Sequence, residues 1–379
     1  MLRAAFTTLL IAGAALLISG ATAQQAQPTQ PPAVPAEQSA EQSAEPWVVH
    51  AGSGGIGGGR RIVFVTGDEE YRSEQGMPQL ARILARLGHH CTVLFAIDPK
   101  TGAIDPGVSD NIPGLQALAN ADLMVLFTRF RDLPDEQMRH IVDYVESGRP
   151  IVALRTATHA FAAKEHRTFA RWSWDSKEWD GGFGRQVLGE TWVAHHGAHG
   201  SQSARGVVAP GAEGHPILRG IAEGAVWDPA DVYAVRLPMP ASCSPVLLGE
   251  VLAGMEPDSL RAPATKTASG NTHDPNEPMM PLAWTNAWRT PSGKTARVFA
   301  TTLGSAQAFR QEGSRRLLVN ACLWALGREE AIAPELDVTI AGEFAPTPFG
   351  FGTHTKGVRP ADLAWRPPAA PAPSPDAPK

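Results

Sequence analysis

Short apolar runs separated by polar turns recur through the first half of the chain, and each predicts one strand of a sheet. Ile151-Val152-Ala153-Leu154 is too short for a helix and has the uninterrupted apolar character of a strand buried on both faces. Arg61 to Gly67 is a β-branched run closed by glycine, Cys91 to Ala96 gives a second strand, and Leu123 to Thr128 a third. Between them the period changes. Met77, Leu80, Ala81, Ile83, Leu84 and Leu87 recur at helical spacing, with Pro78 in the first turn and Gly88 as the stop. A short helix follows near Leu115 to Ala119. Pro134-Asp135-Glu136 then opens a helix that aligns Met138, Ile141, Val142 and Val145 and ends at Gly148. Residues 61 to 155 therefore alternate strand and helix, which predicts right-handed crossovers, a mostly parallel sheet and an α/β fold with helices on both faces.

The second half is less regular. Arg171 to Gly200 holds Trp172, Trp174, Trp179, Trp192 and the run His195-His196-Gly197-Ala198-His199 without a clean period, and it reads as a long structured excursion covering a site. Strand signals return at Arg205 to Ala209, Asp231 to Leu237, Pro245 to Leu252, Met280 to Thr285 and Ala296 to Leu303. A last helix carries Leu317, Leu318, Ala321, Cys322, Trp324 and Ala325 before Gly327.

Composition adds the ends. Arg3, an apolar run from Ala4 to Ile18 and Ala21-Thr22-Ala23 form a secretory signal peptide, residues 1–23, so the protein is expected to be exported to the periplasm or beyond the cell. That run is too short for a lasting membrane span. Residues 24–59, rich in Gln, Ala, Pro and Gly, read as a low-complexity linker, 60–330 as the folded domain, and 331–379 as a proline-rich extension that wraps and then frays. Gly57-Gly58-Gly59 precedes the first strand instead of following it, so it is not a dinucleotide fingerprint. Cys91, Cys243 and Cys322 are too few and too scattered for a disulfide framework. With a formal charge of -5 and no basic block, nucleic acid is not an expected partner. Oligomeric state leaves no mark in the sequence.

Chemistry concentrates where strands end, because ligands of open α/β sheets bind beyond the carboxyl ends of the strands. Three such loops converge: Asp68-Glu69-Glu70-Tyr71-Arg72, Arg129-Phe130-Arg131-Asp132, and Arg155-Thr156-Ala157-Thr158-His159. His159 with Asp68 or Glu69 is the expected proton-transfer set. Arg72, Arg129, Arg131 and Arg155 are expected to hold a polar substrate and offset developing negative charge. The competing reading is a network of ion pairs that brace one another. His195, His196 and His199 invite a divalent metal, the one cofactor left open, although Gly197 and Gly200 argue against a helix that would align the outer pair. His196 serves equally as a sugar-hydroxyl contact. The many tryptophans, with Phe183 and Trp284, suit a carbohydrate whose ring faces stack on aromatic surfaces, while core packing is the plainer role for most of them. Thr156 and Thr158 occupy the position of a nucleophile elbow without flanking glycines, which disfavours a covalent hydrolase.

Thr66 to Arg72, Thr128 to Asp132, Leu154 to Phe161, Gly184 to Gly189, His215-Pro216-Ile217, Asp231-Val232-Tyr233, Pro281 to Trp284 and Arg297 to Gly304 occur in one order that resembles the trehalose-utilisation (ThuA-like) family, particularly its secreted branch. The resemblance spans about residues 60 to 330. It implies a flavodoxin-like, class I glutamine-amidotransferase-like fold without the amidotransferase cysteine, and action on sugars, notably oxidised 3-keto-glycosides. The chain departs from the family at Ser305, where relatives carry His, and at Val232, where they carry Glu. These readings leave three functions: a carbohydrate isomerase or cleaving enzyme working by acid/base chemistry, a non-catalytic carbohydrate-binding or cell-envelope module, and a metal-dependent hydrolase.

Overall fold

The strands predicted in the first half join one sheet because each carries two apolar faces that need separate covers. In the computed structural model, which describes residues 45–52, 54–266 and 271–366, the first half runs β1 (Trp47–Ala51), β2 (Arg61–Gly67), α1 (Ser73–Arg86), β3 (His90–Leu94), β4 (Leu123–Thr128), α2 (Asp135–Glu146) and β5 (Ile151–Leu154). Ile62 and Phe64 face α1, whereas Val63 and Val65 face α2 and the 3-10 turn Leu115–Asn120. This is the two-residue alternation of a strand with both faces buried. On α1, Met77, Leu80, Ile83 and Leu84 are fully buried; each such side chain stabilises the fold by about 1.5–3 kcal/mol relative to exposure. The helix begins at Ser73, earlier than the apolar spacing suggests, so Pro78 lies in its second turn.

The second half supplies β6 (Ala194–His196), β7 (Ala204–Val208), β8 (Trp227–Asp228), β9 (Val232–Ala234), β10 (Cys243–Val251), β11 (Thr265–Lys266), β12 (Thr272–His273), β13 (Met280–Arg289), β14 (Thr295–Thr301) and α3 (Glu312–Ala325). Among the described residues one sheet holds ten strands in the order β1-β3-β2-β4-β5-β14-β13-β10-β7-β8. Strands β3, β2, β4, β5 and β14 run parallel, with β14 and β5 in register from Val298↔Ile151 to Thr301↔Leu154. This α/β sheet, its helices on both faces, is the architecture expected. From β14 onward β13, β10, β7 and β8 add an antiparallel wing. α3 returns to the α1 face, where Leu317, Leu318 and Cys322 join the same core.

Two stretches read from composition need correction. Trp47–Ala51, assigned to the linker, is a strand antiparallel to β3, with Val49 opposite Thr92. A five-residue strand inside a low-complexity setting has too little pattern to be seen; its partner supplies the order. The following glycines then pack against the end of α1, where Gly52 and Gly57 donate to the carbonyls of His89 and Leu87 at 2.9 and 2.8 Å. The segment after residue 330 also belongs to the core: Ile332, Val338 and Ala341 are buried with α1 and α3. Buried Arg315 donates to the Val338 carbonyl at 2.6 Å. The signal-peptide reading lies outside the described residues, and among those described no helix is long and apolar enough to cross a membrane.

Candidate active site at the strand ends

Among the described residues, three other than glycine adopt positive φ: Arg72 at 64°, Phe130 at 49° and Arg155 at 46°. One sits in each of the three loops that follow β2, β4 and β5. Left-handed backbone at bulky residues is strained and persists only where surroundings over-determine it. Here the surroundings are hydrogen bonds. Asp68 Oδ1 accepts from the Glu70 and Tyr71 amides, and its Oδ2 accepts from the Thr156 hydroxyl at 2.8 Å, which ties the β2 loop to the β5 loop. Gly304 lets the β14 loop close over Arg155: a Cβ there would lie 2.9 Å from the Arg155 Cβ.

This bracing absorbs several residues expected to meet a substrate. Arg155 is 0% exposed. Its guanidinium pairs with Asp231 at 2.7 Å, donates to the Thr302 carbonyl at 2.8 Å and to Tyr71 Oη at 2.9 Å, and lies 4.3 and 3.9 Å from the Tyr71 and Tyr233 ring centres. It organises the site from beneath. Arg72 is equally buried and donates to the carbonyls of Glu70 and Gly350 at 3.1 and 2.7 Å. Arg131 bridges Glu69 at 3.0 Å and the carbonyls of Pro106 and Val108 at 3.0 and 2.8 Å. Trp284 is a core residue whose indole donates to the Leu188 carbonyl at 2.7 Å. All four are buried, and the polar contacts just described go to protein atoms, which gives each a structural role. Asp68 is likewise fully buried; burial, then the Glu69 charge, pushes it up to about 6 against its three hydrogen bonds. Glu69 and Arg129, paired with each other, stay partly exposed.

The open chemistry centres on Asp231, just before β9. Its Oδ2 accepts from His195 Nδ1 at 2.8 Å and its Oδ1 from His199 Nδ1 at 3.1 Å, while His199 Nε2 donates to Glu70 Oε1 at 3.0 Å. Carboxylates only accept, so His199 with one on each nitrogen must be an imidazolium. The same bonds, to Asp231 first and then Glu70, push it up to about 9 despite partial burial. Burial opposes the Asp231 charge, yet the two histidines and Arg155 hold that carboxyl well below the usual range. His195 is 34% exposed, and its Nε2 makes no hydrogen bond among the described residues.

An aromatic floor leads away from this relay. His195 and Trp192 ring centres are 6.0 Å apart, Trp192 and His159 5.1 Å, His159 and Phe130 4.9 Å, and Trp174 lies 5.6 Å from both Phe130 and Trp192. Thr158 gives its hydroxyl proton to the Arg155 carbonyl, so His159 Nδ1 donates to Thr158 Oγ at 3.1 Å and leaves Nε2 as the bare nitrogen. Burial, then the charges of Arg129 and Arg155, keeps His159 well below the ordinary range and hence neutral. The histidine run separates. His196 donates to the Pro275 carbonyl at 2.5 Å, and the group able to hold a cation is His195, His199 and Asp231, whose ligand atoms lie within 4.8 Å of one another.

Residues 61–325 match the ThuA family, described as trehalose utilisation. This chain belongs to the ThuA family. Solved structures similar to it include a ThuA-like protein from Bacteroides uniformis, 14% identical, covering 73% of this chain and 96% of its own with a TM-score of 0.44. A second, from Parabacteroides merdae, is 16% identical and covers 81% and 99% with a TM-score of 0.43. No curated protein matches.

The two positions expected to depart from the family pattern are packing positions in this member. Ser305 is buried, receives no solvent, and donates its hydroxyl to Asp228, whose other oxygen accepts from the Gly304 amide at 2.7 Å. Val232 is buried against Gly249, where a Cβ would come within 2.5 Å of it. Asp231, Glu70, Tyr71 and Tyr233 lie within stretches that the sequence marks, but no individual role for them is evident there. Their signal was available: an Asp-x-Tyr entering a strand, and a Glu-Tyr pair inside a loop already marked as functional.

Proposed function

We propose that this ThuA-family protein is exported and processes a carbohydrate, a sugar or a 3-keto-glycoside, by general acid/base chemistry beside a carbonyl. The observation that supports it is the relay His195–Asp231–His199–Glu70 opening beside an aromatic floor at the strand ends. Asp231 orients His195 through Nδ1, so Nε2 is the nitrogen that takes a proton from the carbon next to the carbonyl. Arg129, held by Glu69, balances the negative charge that develops on oxygen, and the bare Nε2 of His159 accepts from a sugar hydroxyl. Return of the proton to the neighbouring carbon isomerises the sugar. In a 3-keto-glycoside the electron pair instead expels the group at C1; the C1–O bond breaks and the departing oxygen takes the proton that His195 Nε2 removed from carbon, while the His199 imidazolium stays paired with Asp231 and Glu70.

The test is incubation of the protein with sugars and 3-keto-glycosides, with products followed by mass spectrometry and NMR. Wild type forms isomer or cleaved product, and His195→Gln lowers turnover by about 10²–10⁴-fold. Ligand-induced shifts without product would replace the reading with that of a carbohydrate-binding module. The clustering of His195, His199 and Asp231 also supports a metal-dependent hydrolase, which requires stoichiometric divalent metal in protein purified without added ions.

A further inference from the structure

The segment 347–353 lies beyond the range matched to the family, yet it forms one wall of the site. Its placement is unusually well determined. Buried Arg72 directs its guanidinium to Thr347 at 3.3 Å, to the Gly350 carbonyl at 2.7 Å and to Thr353. Gln75 accepts from the Thr347 amide at 2.9 Å, and the Gly350 amide donates to the Glu70 carbonyl at 2.8 Å, one residue from Tyr71 and within the same loop that holds His199. These anchors set two phenylalanines. The Phe349 ring lies 5.5 Å from Tyr71 and 5.5 Å from His199, beside the relay itself. Phe351 is 56% exposed, and the Arg129 guanidinium sits 5.0 Å from its ring and 4.6 Å from that of Phe130. An exposed aromatic ring fixed beside a cation, and held by a fully buried arginine, is not explained by packing.

We infer that Phe349 and Phe351 form a subsite for the second unit of the substrate, the sugar or aglycone attached to the reacting ring. This rests on the keto-glycoside reading of the same site. Aromatic faces recognise the C–H face of a pyranose, while Arg129 between Phe130 and Phe351 meets its hydroxyls. Because the strap comes from outside the matched family range, it determines which glycosides this member takes and leaves the chemistry to the relay.

The experiment compares a 3-keto-disaccharide with the corresponding 3-keto-monosaccharide in wild type, Phe351→Ala and Phe351→Trp. The ratio of kcat/KM, disaccharide over monosaccharide, falls about two- to tenfold in Phe351→Ala, since a stacking contact is lost, and is restored in Phe351→Trp. Ile340→Ala, an exposed change elsewhere in the C-terminal segment, leaves the ratio where it was. An equal fall for both substrates, or none, overturns the subsite. If wild type turns over neither sugar, the function proposed above fails, and calorimetric titration of the disaccharide still decides the subsite: it stands if Phe351→Ala weakens binding and falls if wild type and variant bind alike or not at all.

Discussion

Arg155 shows how a single residue can be correctly located from sequence and wrongly employed. Its position after an apolar run places it at a strand end, and that inference holds. What composition does not reveal is that Asp231, Tyr71, Tyr233 and the Thr302 carbonyl come from distant segments to surround it. A guanidinium so enclosed is a foundation. Its loss would remove the buried ion pair and leave the carbonyl and hydroxyl partners of the guanidinium unpaired, with only the two histidines remaining on Asp231, so Arg155→Met is expected to cost about 3–5 kcal/mol in urea unfolding, with m unchanged. His195 belongs to the opposite class, one-third exposed with one nitrogen free, and its replacement alters turnover far more than stability. Trp284 was misplaced for a related reason: indole looks alike in a core and in a sugar site until the Leu188 carbonyl is seen to take its proton.

Among the elements, α1 carries a tension legible only in three dimensions. Glu74 lies in its first turn, where acidic residues ordinarily complement the helix dipole. In the fold, however, both its carboxylate oxygens are buried without a hydrogen-bond partner. Burial pushes Glu74 up to about 8 from 4.5, outweighing the helix amide and Arg72. The sign follows from linkage: between about 4.5 and 8 the unfolded chain releases a proton that the folded chain keeps, so stability falls as pH rises through that window. Glu74→Gln is therefore expected to raise the melting temperature at pH 8 more than at pH 5, and to flatten the pH dependence between them. The helices and parallel strands themselves were legible because period and length agree over β2 to β5. The antiparallel wing was legible as strands but not as a wing, since alternation says that a segment is extended and not which neighbour it takes.

At the scale of the molecule, the site depends on pieces far apart in sequence: loops from the parallel half, the His195 to His199 turn, Asp231 just before β9 and a strap from the C-terminal segment. The three loops of the parallel half could be anticipated because strand ends in such sheets have a common fate. Asp231 and the strap could not, because nothing local marks a residue that is recruited across the fold. The sheet's outer edge has a different consequence. His50 on β1 donates from Nδ1 to the Trp365 carbonyl at 3.3 Å, and Arg82 holds the Leu363 carbonyl at 2.9 Å, so the first and last described segments meet at one rim. Between residues 45 and 366 the path of the chain is therefore nearly closed. A circular permutant that joins residue 366 to residue 45 through a flexible linker and opens the exposed Ser292-Gly293 turn is expected to melt as one cooperative unit and keep the wild-type circular dichroism. Within residues 45–366 the order in which the elements are joined then matters less than the contacts they make.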